Sequence, residues 1–273
     1  MGTERPRALV PWAATMLVPS NPDLAALARW ALVPRVLHDV FEPDPGVELL
    51  ERARPHPIVR RSVGAPRGSS DGALTLVDAA AVTEPHPDRI PVLLSGKMGE
   101  LMPEVRRLVA LDVPALALDL THLGDVPPFG SQPWRPRTRE DLAELAAAAG
   151  RPLWLIGVAS ADDAAVAAEA GLDVIVVDAA VGRHLGGPAT ADVLPEVVDA
   201  VAGMVRVLAG GQVGSGLDVF RLLALGADAV VVGGDRPTAV LDEELRYALR
   251  LTGCATLADV GYDALFEPLF AEP

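Results

Sequence analysis

The stretch Pro152–Ala179, PLWLIGVASADDAAVAAEAGLDVIVVDA, contains two apolar runs separated by one helical segment. Apolar runs without polar alternation are typical of parallel strands that are buried on both faces. Between the runs, Ser160 followed by two aspartates signals the start of a helix, and Gly171 signals its end. The stretch therefore predicts a strand, a helix over Ala161–Ala170, and a second strand.

The same unit recurs through most of the chain. Six apolar runs after residue 90 are candidate strands: Pro91–Gly96, Pro114–Thr121, Pro152–Val158, Asp173–Ala179, Val205–Gly211 and Asp228–Gly234. Two earlier runs, Pro57–Ala65 and Ala73–Val82, supply two more. The predicted helices are Glu100–Leu111, Arg139–Ala149, Ala161–Ala170, Ala191–Ala202, Gly216–Leu225, Thr238–Leu251 and Thr256–Phe266. Six consecutive strand–helix units favour an α/β fold of the (β/α)8 TIM-barrel type over an open sheet.

The first half of this barrel is predicted to depart from the regular pattern. The links PRGSSDG (Pro66–Gly72) and TEPHPDR (Thr83–Arg89) are too short to contain crossover helices, which need a dozen or more residues. We therefore expect a shortened barrel that is irregular or open there. Residues 1–273 are interpreted as a single domain, in which residues 1–55, with a helix near Asp23–Leu32, cap the bottom of the barrel.

Composition excludes several classes of function. A net charge of -14 argues against nucleic acid and against an anionic membrane surface as the main partner. The single cysteine, Cys254, excludes an intrachain disulfide and a metal site built from several cysteines. Without a transmembrane-length apolar run or a signal-peptide pattern, we expect a cytoplasmic protein, and the Ala, Arg, Pro and Gly richness suggests a bacterial source.

Two pairs of adjacent glycines follow the seventh and eighth predicted strands, at Gly210-Gly211 and Gly233-Gly234. In TIM barrels these loops often hold a phosphate group through backbone N–H groups and a helix N-terminus. Glycine suits such a loop because a side chain would block the approach of the anion. The pattern predicts a phosphate site, and tight turns without a ligand are the alternative interpretation.

From about Leu153 to Asp259 the chain resembles the FMN-dependent α-hydroxy-acid dehydrogenases and oxidases, such as lactate oxidase and glycolate oxidase. The resemblance lies in VVDAAVGRHLGGPAT (Val176–Thr190) and VLAGGQVGSGLDVFRLLALGADAVVVGG (Val207–Gly234), within the order of the surrounding strands and helices. It implies FMN as cofactor and hydride transfer from a 2-hydroxy acid. It also implies a homo-oligomer, since relatives often form tetramers.

The resemblance assigns a functional role to several positions. At one of them the family's residue is present, because Arg183 stands at the position of the substrate-binding arginine. Other residues stand at the remaining positions: Ala180 for the catalytic histidine, Ile156 for the lysine at flavin N1, Ala209 for the aspartate of an Asp-Gly-Gly turn, Val213 and Gly234 for two phosphate-binding arginines, and Asp119 for a threonine that touches the flavin ring. General-base catalysis is worth about 10²–10⁴ in rate. These replacements predict that 2-hydroxy acids are not oxidised by the usual route, although the glycine turns could still bind FMN or a phosphorylated metabolite.

A different set of polar residues follows the predicted strands, where TIM-barrel active sites lie. The candidates for acid–base chemistry are Lys97, Asp119, His122 and Asp178, with His184 as a substitute base beside Arg183. Lys97 or Arg183 could bind the anionic group of a small substrate. The sequence contains neither an HxH nor an HExxH spacing, so these motifs give no indication of a metal site.

Three functions follow from these observations. The first is a divergent barrel that binds FMN or a phosphorylated small metabolite. The second is a non-catalytic pseudoenzyme that serves as a scaffold for a protein partner. The third is a non-redox lyase or isomerase that uses Asp119, His122, Asp178 and Lys97.

Overall fold

The structure, a computed structural model, describes residues 22–62, 72–124 and 136–267. Its strands are β1 (Ala31–Leu32), β2 (Val47–Leu49), β3 (Arg52–Arg54), β4 (Ile58–Arg61), β5 (Thr75–Asp78), β6 (Arg89–Leu94), β7 (Leu116–Asp119), β8 (Leu153–Val158), β9 (Val174–Val177), β10 (Arg206–Ala209), β11 (Ala229–Val232) and β12 (Leu265–Phe266). Its α-helices are α1 (Pro22–Arg29), α2 (Met98–Ala110), α3 (Arg139–Ala149), α4 (Ala161–Glu169), α5 (Thr190–Val201), α6 (Gly216–Ala224) and α7 (Thr238–Thr252).

Strands β4 to β11 form a closed parallel barrel, which confirms the predicted TIM-barrel fold. The eight strands lie within the eight predicted apolar runs, apart from β6, which begins two residues earlier. The prediction that the first half could be open is wrong. Strand β11 pairs with β4, with Val231 opposite Val59, and β4 pairs in turn with β5.

The first half of the barrel is irregular in its connections, as predicted. Between β5 and β6 the structure has a single 3-10 turn, Ala79–Ala81, in place of a helix. Arg107 of α2 covers this turn, since its guanidinium donates to the carbonyls of Ala79 and Val82 at 2.8 Å each. A long side chain from a neighbouring helix therefore satisfies polar groups that a crossover helix would otherwise have covered.

Alternate strand residues point inward and outward, so the barrel has an inner and an outer core. The inner core contains Val59, Leu76, Trp154, Ile156 and Val176 among others, and the outer core lies between the strands and the helices. Most inner residues are small or medium aliphatic side chains, as the low aromatic content of 4% requires. The interior is therefore filled, and polar side chains can point inward only at the strand ends.

The hairpin β2–β3 lies at the amino-terminal end of the barrel strands. Leu49 is buried in the inner core, and Arg206 at the start of β10 donates to the carbonyl of Glu48 at 2.6 Å. The predicted helix near Asp23–Leu32 exists as α1, but it packs against α5 and α6 instead of beneath the barrel. Its Asp23 reaches loops at the opposite, carboxyl end.

The last predicted helix, Thr256–Phe266, is wrong. Two 3-10 turns and the short strand β12 occupy this segment, and β12 pairs with β1. The Asp259 carboxylate accepts the backbone N–H of Thr256 at 2.8 Å, and Gly261 separates the two turns, so local hydrogen bonds replace a helical ladder.

Cys254 is buried just after α7, and burial raises the pKa of its thiol. In the described part of the chain, no helix could cross a membrane.

Candidate functional site

The carboxyl ends of the barrel strands form a mouth into which inner-face side chains project. Arg61, Asp119 and Asp178 each follow an inner-core residue at the two-residue strand period, which directs them into this mouth. Leu94 shares that direction and is 59% exposed. Among the described residues, the mouth therefore combines a guanidinium with carboxylates and an apolar side chain.

Arg61 and Asp119 form an ion pair across the mouth. The two residues lie on β4 and β7, which are separated by two strands in the barrel. Asp119 is 2% exposed, and its other oxygen accepts the backbone N–H and hydroxyl of Thr121 at 2.8 and 2.7 Å. A buried carboxylate is costly unless it is paired and hydrogen-bonded, and these three donors meet that need.

Asp178 occupies the opposite side of the mouth, beside the turn that follows β10. Its carboxylate accepts the backbone N–H of Ala180 at 3.0 Å. A Cβ atom at Gly210 would lie 3.2 Å from the second carboxylate oxygen of Asp178. Glycine at 210 therefore makes room for the Asp178 side chain, which is a structural reason for this glycine.

Asp23 of α1 clamps two loops at the carboxyl end of the barrel. Its buried carboxylate accepts the backbone N–H groups of Thr190 and Gln212 at 3.1 and 3.2 Å. A Cβ atom at Gly211, where φ is +88°, would lie 2.9 Å from the same carboxylate. The Gly210-Gly211 turn was predicted to bind a phosphate. In the structure the Asp178 carboxylate lies beside Gly210, and the Asp23 carboxylate lies beside Gly211.

We expect Asp23→Ala to loosen these two loops, because both amides lose a charged acceptor. Hydrogen exchange at the Thr190 and Gln212 amides should accelerate by about tenfold or more, which corresponds to about 1.4 kcal/mol of local stability. Asp23→Asn is the matched control, because it keeps one acceptor oxygen and should give a smaller effect. Unchanged protection of both amides in Asp23→Ala would show that the clamp has no energetic role.

The rest of the β10–α6 loop is also held by carboxylates. Asp218 accepts the backbone N–H of Gly214 at 3.1 Å, and Glu244 of α7 accepts that of Gly216 at 2.7 Å. Ser215 is the N-cap of α6 and accepts the N–H of Asp218. Together with Asp23, these acids hold the N–H groups of alternate residues from 212 to 216.

The turn at Gly233-Gly234 has different surroundings. A Cβ atom at either glycine would meet no heavy atom within 4 Å. Arg60, at the end of β4, donates to the carbonyl of Gly234 at 2.5 Å. Arg236 follows the turn and donates to the carbonyl of Gly214 and, at 2.5 Å, to Glu244. This turn therefore has open space and two arginines beside it.

The rim after β6 contains a second cluster. Arg137 donates to the hydroxyl of Ser95 at 3.0 Å and to the carbonyl of Gly96, and its side chain is 4% exposed. The Nε2 of His122 lies 3.3 Å from the carbonyl of Ser95. Lys97 is exposed at the start of α2. In the part of the chain that the structure describes, neither Lys97 nor His122 contacts the Asp119 carboxylate.

The turn after β9 carries the remaining predicted site residues. It is a 3-10 segment, Ala179–Leu185, that includes Ala180. The side chains of Arg183 and His184 lie outside the described part of the structure, so their predicted roles stay predictions. No group of three metal-ligating side chains occurs within the described ranges.

Five charged residues at this end of the barrel were not predicted from the sequence as site residues: Asp23, Arg60, Arg61, Arg137 and Arg236. One signal was available for two of them. The run PIVRR ends a predicted buried strand with two arginines, and charges at such a position need partners. The partners themselves are distant in sequence, so no local pattern identifies them.

Comparison with known proteins decides the ancestry. The family model described as FMN-dependent dehydrogenase matches residues 125–267, which is more than half of the chain. The chain belongs to the FMN-dependent dehydrogenase family.

Curated members of this family match part of the chain. An L-lactate dehydrogenase of Stenotrophomonas maltophilia (strain R551-3) is 40% identical over 129 residues, which are 42% of this chain and 34% of the relative. An L-lactate oxidase of Nostoc sp. is 39% identical over 140 residues, which are 45% of this chain and 38% of the relative. The chain therefore spans little more than a third of the length of the curated relatives it matches.

Solved structures with the same fold match more of the chain. A mandelate oxidase variant bearing an FMN monooxide adduct has a TM-score of 0.73 at 24% identity and covers 90% of each chain. The same enzyme variant with (S)-mandelic acid has a TM-score of 0.74 at 24% identity, covering 92% of this chain and 90% of the other. At this identity the likeness establishes the fold alone.

The residues of this FMN-dependent dehydrogenase family member do not fit the flavin ring. Ile156, at the resemblance position of the N1 lysine, is an inner-core residue 1% exposed. On the neighbouring strand Asp119 lies in register with it and holds Arg61 across the mouth. An anionic reduced flavin would therefore meet an apolar side chain and a carboxylate where the family places a cation.

Proposed function

We propose that this chain binds a small phosphorylated metabolite at the barrel mouth and does not oxidise 2-hydroxy acids by the route of its family. One observation carries the proposal, namely the Arg61–Asp119 ion pair. It joins β4 to β7 at the mouth, and Asp119 stands where the resemblance places a threonine that touches the flavin ring. A flavin ring would have to lie against this ion pair, whereas a small anion bound at the Gly233-Gly234 turn would not.

The loss of the proton acceptor supports the same conclusion. Ala180 stands where the resemblance places the catalytic histidine, and its methyl group cannot accept a proton. The acids at the mouth do not restore this function, because Asp119 binds Arg61 and Thr121, and Asp178 binds the Ala180 amide. The described residues therefore favour binding over acid–base chemistry.

The Gly233-Gly234 turn is the better of the two predicted phosphate sites. Arg60 and Arg236 supply the positive charge that Val213 and Gly234 lack, and the space beside both glycines is open. The pair formed by Arg236 and Glu244 is partly exposed, with side chains 42% and 27% exposed, so it contributes little by itself. An incoming phosphate can therefore bind Arg236 at a small cost in lost interactions with Glu244. At Gly210-Gly211 a phosphate would instead meet the carboxylates of Asp23 and Asp178.

We expect inorganic phosphate to raise the thermal midpoint of the wild-type chain beyond the effect of potassium chloride at equal ionic strength. Arg60→Gln should lose most of this stabilisation, because a charge-assisted hydrogen bond contributes about 1.5–3 kcal/mol, or about tenfold or more in Kd. Arg52→Gln, an exposed arginine on the bottom hairpin, is the matched control and should respond like the wild type. Equal responses of all three proteins would reject the site.

The redox part of the proposal has a separate measurement. Titration of FMN with the purified chain, followed by flavin fluorescence, should show no saturable quenching up to about 100 μM protein, a concentration at which micromolar affinity would be evident. L-lactate with an artificial electron acceptor should give no turnover. A yellow preparation that oxidises lactate would overturn the proposal.

A further inference from the structure

Arg54 is a buried cation at the amino-terminal end of the barrel strands, opposite the mouth. Its side chain is 7% exposed, and its Nη1 donates to the carboxylate of Asp88 at 2.6 Å and to the carbonyl of Gly72 at 3.3 Å. The other two nitrogens, Nε and Nη2, are buried and have no hydrogen-bond partner within the described chain. Buried polar groups are nearly always paired, so these two donors point to a ligand that supplies an acceptor.

The two open donors lie on the same edge of the guanidinium plane. This edge presents two parallel N–H groups, which match the two oxygens of a carboxylate or of a phosphate. A single carbonyl oxygen would satisfy this edge less well, because it offers neither the second oxygen nor the negative charge. The open edge of Arg54 therefore favours an anionic group that accepts two hydrogen bonds.

A cavity borders Arg54 beside the hairpin β2–β3, and we call it the hairpin cavity. Its volume is about 490 Å³, and residues 44, 46–48 and 53–55 line it. Small-molecule sites have volumes of about 300–1,000 Å³. A Cβ atom at Gly46 would lie 3.0 Å from Oδ1 of Asp44 and 3.5 Å from the carbonyl oxygen of Arg54, so both residues border the same space. Asp44, Gly46 and Glu48 are exposed, so a small movement of this surface segment admits a ligand.

The other charges of the hairpin cavity are negative. Asp44 and Glu48 both line it, and neither forms an ion pair in the part of the chain that the structure describes. Asp44 uses one carboxylate oxygen to accept the N–H of Gly46 at 2.9 Å. Because Arg54 is already paired with Asp88, a phosphate dianion would meet two uncompensated carboxylates, whereas an ammonium group would be attracted to them.

We propose that the hairpin cavity binds an amino acid. Its carboxylate accepts from Nε and Nη2 of Arg54, and its ammonium group lies beside Asp44 and Glu48. A zwitterion satisfies the buried donors and the exposed acids together, which neither a simple anion nor a simple cation does. This site lies at the end of the barrel opposite the Gly233-Gly234 turn, so the proposal stands independently of the ligand of the mouth.

Thermal unfolding of the full chain at neutral pH tests the proposal, with each of the twenty standard amino acids added at about 10 mM. At least one should raise the wild-type midpoint by about 2 °C or more, the size expected for a ligand at about ten times its Kd. Acetate and methylammonium chloride at the same concentration each carry one of the two charges and should have little effect. The proposal is overturned if no amino acid raises the midpoint, or if acetate raises it equally.

The variant Arg54→Lys identifies the residue that binds the carboxylate. Lysine keeps a positive charge beside Asp88 but lacks the two-donor edge, so the Kd of the stabilising amino acid should increase by about tenfold or more. Arg52→Lys is the matched control, because Arg52 is exposed on the same hairpin and does not line the hairpin cavity. Circular dichroism reports whether each variant is folded. Wild-type affinity in both lysine variants would reject Arg54 as the binding residue.

The double variant Asp44→Asn with Glu48→Gln tests the ammonium contact without altering the buried ion pair. Both residues are exposed, and asparagine at 44 keeps an acceptor for the N–H of Gly46, so we expect this variant to fold. Its Kd for the stabilising amino acid should increase by about fivefold or more, because both acids lose their charge. An unchanged Kd would contradict the assignment of the ammonium group and, with it, the amino acid as ligand.

Discussion

We expect the substitution Arg61→Met to lower the free energy of unfolding by about 3 kcal/mol. Breaking a buried ion pair by removing one partner typically costs about 3–5 kcal/mol, because the remaining charge is left uncompensated. Asp119 is the more deeply buried partner, with its side chain 2% exposed against 29% for Arg61. The partial exposure of Arg61 and the hydrogen bonds from Thr121 place the expected cost at the lower end of this range.

Urea unfolding followed by circular dichroism measures this effect. The double variant Arg61→Met with Asp119→Leu should recover much of the loss, because it removes the charge that Arg61→Met leaves behind. Arg139→Met is the control, since Arg139 and Glu169 form an ion pair whose side chains are 57% and 60% exposed, and its loss should cost less than about 1 kcal/mol. An equally small effect for Arg61→Met would contradict the structural role assigned to the pair.

Gly216→Ala is expected to destabilise the chain by about 3 kcal/mol or to prevent folding. A Cβ atom at this first residue of α6 would lie 2.5 Å from the Cβ of Glu244 and from the backbone nitrogen of Leu245, and closer still to the carbonyl oxygen of Leu241. Overpacking costs about 1–3 kcal/mol when side chains can adjust. Here two of the three neighbouring atoms belong to the backbone of α7, which can move only as a helix.

The control is another alanine substitution near a helix start. Gly99 is the second residue of α2, and a Cβ atom there would meet nothing within 4 Å. Gly99→Ala should therefore leave stability unchanged or increase it by up to about 1 kcal/mol, through the higher helix propensity of alanine. If both variants had the same midpoint in urea, the close contact between α6 and α7 would have no energetic consequence.

Local signals were sufficient for most of the barrel. Continuous apolar runs predicted all eight strands, and Ser160 predicted a helix start that the structure confirms as an N-cap. The helix predicted for the last segment, Thr256–Phe266, does not form, because Asp259 and Gly261 favour turns there. Closure of the barrel could not be read from short links, because it depends on Val59 meeting Val231 across most of the chain.

The site was less predictable than the fold. Asp119 was predicted as a site residue, but the sequence did not identify its partner Arg61, which lies 58 residues earlier. The two glycine turns look alike in sequence. In the structure, Asp178 and Asp23 lie against Gly210-Gly211, while Arg60 and Arg236 lie beside Gly233-Gly234. The sign of the charge at each turn depends on these distant side chains.

The sequence by itself determined the order of strands and helices, their caps and the family resemblance, because those depend on residues within a few positions of each other. Only the tertiary structure decided which charges meet. Asp23 contacts Thr190 and Gln212 across separations of 167 and 189 residues, and no helical or strand period extends that far. The chemistry of the mouth follows from such contacts, because a charge buried at a strand end is tolerated only where folding brings a partner to it.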